Sequence, residues 1–64
     1  MDVKDIVKNF QLLCKDQGWT HKQAAEEIGC ERSHVTKIFS GSRHPSFKLL
    51  EKMEEKIKEY NYGE

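Results

Sequence analysis

The chain has 64 residues, with 11 Lys or Arg set against 11 Asp or Glu, so its formal net charge is zero with histidine neutral. A chain of this length makes one domain, here taken as residues 1–64. It buries only about 60% of its unfolded surface, which argues against an enzyme with a deep substrate pocket and makes association with a second copy useful. Cys14 and Cys30 form no disulfide framework and no C-x-x-C or H-E-x-x-H metal spacing, and no signal peptide or long apolar run is present, so a cytoplasmic protein with no metal or cofactor is expected.

Helical patterning accounts for nearly the whole length. Val3, Ile6, Val7, Phe10, Leu13 and Cys14 recur at helical spacing as one apolar stripe, with Asp2 placed to cap the helix and Gly18 to end it. Thr20 and Gln23 stand three apart as a capping box for a second helix, the hydroxyl accepting from the amide three residues on and Gln23 reaching back. Trp19, just before that cap, is expected either to staple onto Ala24 or to pack in the core. Ser46 caps a last helix from about Phe47 to Tyr60, with Phe47, Leu50, Met53, Ile57 and Tyr60 on one side. No strand pattern, repeat or linker competes, and only the tail NYGE reads as frayed.

Residues 20–41, THKQAAEEIGCERSHVTKIFSG, carry the most information. Ala25 lies four residues before Gly29, Val35 six after it and Ile38 nine after it. A small side chain then lets one helix cross another closely, and a glycine lets the backbone leave the first helix in a left-handed conformation. This is the pattern of a helix-turn-helix. Charge is distributed accordingly: residues 31–48 hold Arg32, Lys37, Arg43 and Lys48 against Glu31 alone, with His34 and His44 in addition, whereas residues 51–64 hold three lysines against five glutamates. A basic middle and an acidic tail fit one face for DNA and another for water or a partner.

The motif, together with Gly18 before it, Gly41 after it, the basic loop to Pro45-Ser46 and the apolar run SFKLLEKM, resembles the Cro and CI repressors of lambdoid phages and their bacterial relatives over roughly residues 3–58. The resemblance implies an all-α, lambda-repressor-like domain of four helices, to which many relatives add a fifth. Relatives often pair an arginine late in the first helix with a glutamate near the end of the recognition helix. The matching positions here are Cys14 and Phe39, and exchanging a whole buried ion pair for packed apolar groups is commonly neutral or stabilising.

What the resemblance implies for function is a double-stranded DNA partner. Base-reading positions carry over to Glu31, Arg32, Ser33, Thr36, Lys37 and Ser40. Arg32 suits bidentate bonding to guanine, and Ser33 or Thr36 suits a base, a phosphate or a thymine methyl. Glu31 is read as capping the helix or orienting Arg32 more than as contacting a base. Phosphate contacts fall to Thr20, His21, Lys22 and Gln23 at one end and to Ser42, Arg43, His44 and Ser46 at the other, with protonation of His21 or His44 adding affinity. His34 and Glu27 are read as surface residues.

With the sequence ending at Glu64 and no fifth helix, Ile57, Tyr60 and Tyr62 are expected either to meet a second copy or to fold back on the first helix. The leading expectation is a homodimeric, sequence-specific transcriptional repressor of phage or mobile-element type, occluding a two-fold operator. A helical protein-interaction module, as in an antitoxin or regulatory subunit, is the alternative, supported by zero net charge and Glu31. A DNA-bending accessory factor in recombination is a third.

Overall fold

The computed structural model describes residues 2–61. Its elements in order are α1 (Val3–Gln17), α2 (His21–Ile28), α3 (Arg32–Ser40) and α4 (Phe47–Glu59), with no strand among the described residues. Packing runs chiefly between α2 and α3 and between α1 and α4. The expected all-α, four-helix fold is the one observed.

Helix α1 forms along the predicted stripe. Ile6, Phe10, Leu13 and Cys14 are buried, Val7 is half-buried, and Val3 at the helix start stays 38% exposed. Gly18 ends the helix at φ 73°, and Trp19 N–H then donates to the Cys14 carbonyl at 2.8 Å. Asp2 occupies the N-cap with extended backbone, but its side chain makes no capping bond, contrary to the sequence expectation. Its carbonyl accepts the first helical bond, from Ile6 N–H at 3.0 Å, so Asp2 opens the helix through its backbone and through its charge near the N-terminal dipole.

The cap of α2 forms as read: Thr20 Oγ1 accepts from Gln23 N–H at 3.1 Å. Gly29 leaves the helix at φ 76°, a region in which a Cβ crowds the following carbonyl oxygen, and the Cys30 amide closes back on the Ala25 carbonyl at 2.9 Å. That single left-handed residue turns the chain so that Ala24, Ala25 and Ile28 on α2 and Val35 and Ile38 on α3 enter one core. Phe10, Leu13, Val35 and Met53 are its largest fully buried side chains.

In α4 the buried face differs from the predicted one. Ser46 Oγ does accept from Leu49 N–H at 3.3 Å. However, the inward residues are Leu49, Met53 and Ile57, while Leu50 is half-buried and Phe47 is 78% exposed. Phe47 is the first residue of α4 and most of its side chain stands in water. Helix α4 ends at Glu59, with Tyr60 as C-cap and Asn61 in the left-handed region at φ 54°, which asparagine tolerates better than most residues.

For Ile57, folding back on the first helix is the alternative observed. It is 3% exposed because α4 lies along α1 and closes over it, so Ile57 belongs to the core of this chain and offers no surface to a second copy. Tyr60 remains 38% exposed, its ring edge-on to Trp19 with centroids 5.7 Å apart. Trp19 in turn faces Phe10 at 6.5 Å, which is core packing of the kind expected for it. Tyr62 lies outside the described residues, as does most of the tail read as frayed.

Candidate nucleic-acid interface

The turn at Gly29 sets the N-terminal half of α3 beside the start of α2. Thr20, His21 and Lys22 from α2 and its cap, with Arg32, Ser33, Thr36 and Lys37 from α3, line one open concavity of about 650 Å³. All of these side chains are exposed, as are Gln23, Glu31 and Ser40. Residues named for base readout and for phosphate contact thus share a surface, because both come from the polar side of an amphipathic pair whose apolar side is the core.

One hydrogen bond joins the rows, and a second within α3 orders it. Thr36 Oγ1 lies 3.1 Å from the Arg32 carbonyl, to which it donates, and 2.8 Å from His21 Nδ1. A hydroxyl has one proton to give. With that proton on the carbonyl, the bond to the ring is donated by His21 Nδ1–H, leaving Nε2 as the histidine atom for an outside partner. The ring is held from a second side by Phe39, edge-on at 5.4 Å. Phe39 also faces Phe10 at 6.1 Å, and its carbonyl accepts from Gln11 Nε2 at 3.2 Å, a tie between α1 and α3 that sequence reasoning missed. No local signal could have shown it, since the two residues are 28 apart in sequence.

The C-terminal end of α3 is held by its own hydroxyls. Ser40 Oγ donates to the Lys37 carbonyl at 3.0 Å and lies 2.7 Å from Ser42 Oγ, which approaches the same carbonyl at 3.3 Å. Both hydroxyls therefore serve first to close the helix before Gly41, at φ 85°, and only their remaining lone pairs face outward. Beyond them Arg43, His44 and Ser46 are exposed on the loop to α4.

Three sequence readings need correction at this site. Glu31 occupies the N-cap of α3, yet its side chain makes no capping bond and forms no ion pair with Arg32 among the described residues; its backbone carbonyl does the capping work, accepting from His34 and Val35. His34 is half-buried, with Nε2 enclosed and unpartnered, because the helix turns that edge toward α4. Glu27 is half-buried and pairs with Lys56 at 2.9 Å, joining α2 to α4. That bond, with lesser help from the Glu27 and Glu59 charges, raises the Lys56 pKa.

Burial pushes the Cys14 thiol up to about 11, against a weaker opposing pull from its own backbone bond. Cys30 is raised too, first by burial and then by the neighbouring Glu31 charge. Neither is a nucleophile poised by its surroundings. Among the described residues no three His, Cys, Asp or Glu side chains are grouped to share a metal ion, and no helix is long and apolar enough to cross a membrane.

No curated protein and no solved structure matches the chain. A family model described as helix-turn-helix matches residues 11–60, from the middle of α1 to the C-cap of α4, and so takes in the motif, the basic loop and the helix that closes the core. The chain belongs to the Cro/CI-type helix-turn-helix family and is a DNA-binding regulator of that kind.

Proposed function

We propose that the protein is a sequence-specific repressor that binds a two-fold operator as a homodimer, each α3 lying in a major groove of one half-site. The observation that carries this reading is the shared concavity of α2 and α3, where Arg32, Ser33, Thr36 and Lys37 stand exposed beside Thr20, His21 and Lys22. Arg32 and Lys37 read bases, with Ser33, Thr36, Ser40 and Glu31 beside them. Thr20, His21, Lys22 and Gln23 at one end and Ser42, Arg43, His44 and Ser46 at the other hold phosphates and set register. A second copy is needed because one recognition helix reads too few base pairs to select a site in a genome. Repression follows by occlusion, with half-sites about 34 Å apart.

Selection of bound duplexes from a random pool tests the class. An enriched palindrome is expected, and an absence of enrichment at low salt overturns the reading in favour of a protein-interaction module, which zero net charge and Glu31 favour. On the selected site, Arg32→Ala is expected to cost about 1–3 kcal/mol and to relax preference at one base pair. Arg43→Ala is expected to weaken all sequences alike and to make the salt dependence shallower by about one unit. Uniform weakening by Arg32→Ala would move that residue to the phosphate set.

A further inference from the structure

We propose that the groove between the first half of α1 and the α3–α4 loop is a docking site for an acidic protein segment carrying an apolar anchor residue. The groove encloses about 430 Å³ and lies off the α2–α3 concavity. Its apolar lining comes from Val3, Val7, Ile38 and Pro45. Val3 keeps 38% of its surface in water although it continues the stripe that buries Ile6 and Phe10, so the core stripe of α1 runs out into this groove.

The polar lining is cationic. Lys4 and Lys8 stand one helical turn apart on α1, Arg43 and His44 come from the loop, and Asp2 is the only acid lining it among the described residues. All four basic side chains are exposed, and none takes part in an ion pair among the described residues. Charge and apolarity together select the occupant. A nucleic-acid backbone would satisfy the cations but leave the apolar lining uncovered, whereas a purely apolar segment would strip water from cations without replacing it. A segment with carboxylates around one or two apolar side chains meets both demands.

Arg43 and His44 also belong to the phosphate-contacting set under the function proposed above. On that reading, an acidic segment in the groove and a duplex on the interface compete for the same cations, and such a partner would release the protein from its operator.

Two arms test this separately. In the first, without DNA, the wild-type protein is titrated with a short Asp/Glu-rich peptide containing two leucines and followed by backbone amide NMR. Saturable shifts are expected at Val3, Val7, Gly41 and Arg43. Replacing the leucines by serine, or making Lys4→Glu with Lys8→Glu in the protein, is expected to weaken binding at least about tenfold. Both lysines are exposed, Lys4 lies in the first turn of α1, where an acid suits the helix dipole, and glutamate is a good helix former at Lys8, so unchanged circular dichroism should accompany the loss. The proposal is overturned by equal affinity for the serine peptide, by no effect of the two lysine changes, by no saturation up to about 1 mM peptide, or by duplex DNA shifting Lys4 and Lys8 where the peptide does not. In the second arm the peptide competes with the selected duplex. Peptide binding without competition overturns the sharing of Arg43 and His44 while leaving the groove, and duplex binding without peptide binding overturns the groove while leaving the repressor reading.

Discussion

His21 shows how much a single residue depends on the hydrogen-bond order around it. Thr36 Oγ1 donates to the Arg32 carbonyl and lies 2.8 Å from His21 Nδ1, so Nε2 is the ring atom left for an outside partner. If His21 holds a phosphate through Nε2, losing the ring should weaken operator binding, and His21→Ala should do so more than His44→Ala, because His21 is tied to Thr36 and Phe39 on the α2–α3 surface. Fluorescence anisotropy on the selected duplex measures both, and unchanged affinity in His21→Ala would remove the residue from the interface.

Cys14 carries a second residue-scale prediction. The core accepts the neutral thiol, so the native state keeps its proton up to about pH 11, above the pH at which the unfolded chain loses it. The stability this supplies is fully present below the ordinary thiol range and is lost as pH rises toward that value, at roughly 1.4 kcal/mol per pH unit. Urea melts of wild type and Cys14→Ala at several pH values should show a shallower alkaline fall in the variant.

At the scale of elements, caps and turns are where local chemistry decides structure. Thr20→Ala removes the one side chain that satisfies the α2 N-terminus, at an expected cost of about 1 kcal/mol; Asp2→Ala, which loses no capping bond, should cost only a few tenths. Gly29→Ala is a cleaner test of the turn. A Cβ there would meet no atom within 4 Å, so the expected loss of about 1–2 kcal/mol comes from the left-handed backbone itself. Chemical denaturation of these variants checks all three, and a neutral Gly29→Ala would mean that the turn relaxes to another geometry. These elements were legible in the sequence because capping and glycine signals act within a few residues of themselves.

At the scale of the molecule, the helices are held by contacts between residues far apart in sequence. Ile57→Asp should unfold the chain, because it places a charge among Met53, Leu49 and the α1 core face, whereas Tyr60→Asp should leave helical content near wild type. Circular dichroism separates the two outcomes. A folded Ile57→Asp would return that residue to a surface role. The Lys56–Glu27 bridge between α4 and α2 is partly open to water and should add less than about 1 kcal/mol. With Lys56 raised, its share persists through neutral pH and is lost only as pH climbs through the lysine's elevated titration range. Sedimentation of the wild type with and without the selected duplex tests the proposed homodimer, whose contact surface must now be sought outside Ile57.

Amino-acid order by itself marked the apolar stripe of α1, the cap of α2, the turn at Gly29 and the start of α4, because periodicity, caps and left-handed glycines are properties of neighbours three or four positions apart; the count of four helices was implied by the family resemblance. It also marked out the residues that the structure brings together on the α2–α3 surface, since they are what remains of those helices once the apolar positions are assigned to the core. Only the tertiary structure decided which edge of each stripe is covered. Of the apolar residues Phe47, Leu49, Leu50, Met53 and Ile57, the packing of α4 on α1 buries Leu49, Met53 and Ile57 and leaves Phe47 in water. The same packing enclosed His34, paired Glu27 with Lys56 and joined His21 to Thr36. Those contacts depend on where two helices cross, and no run of neighbouring residues encodes a crossing.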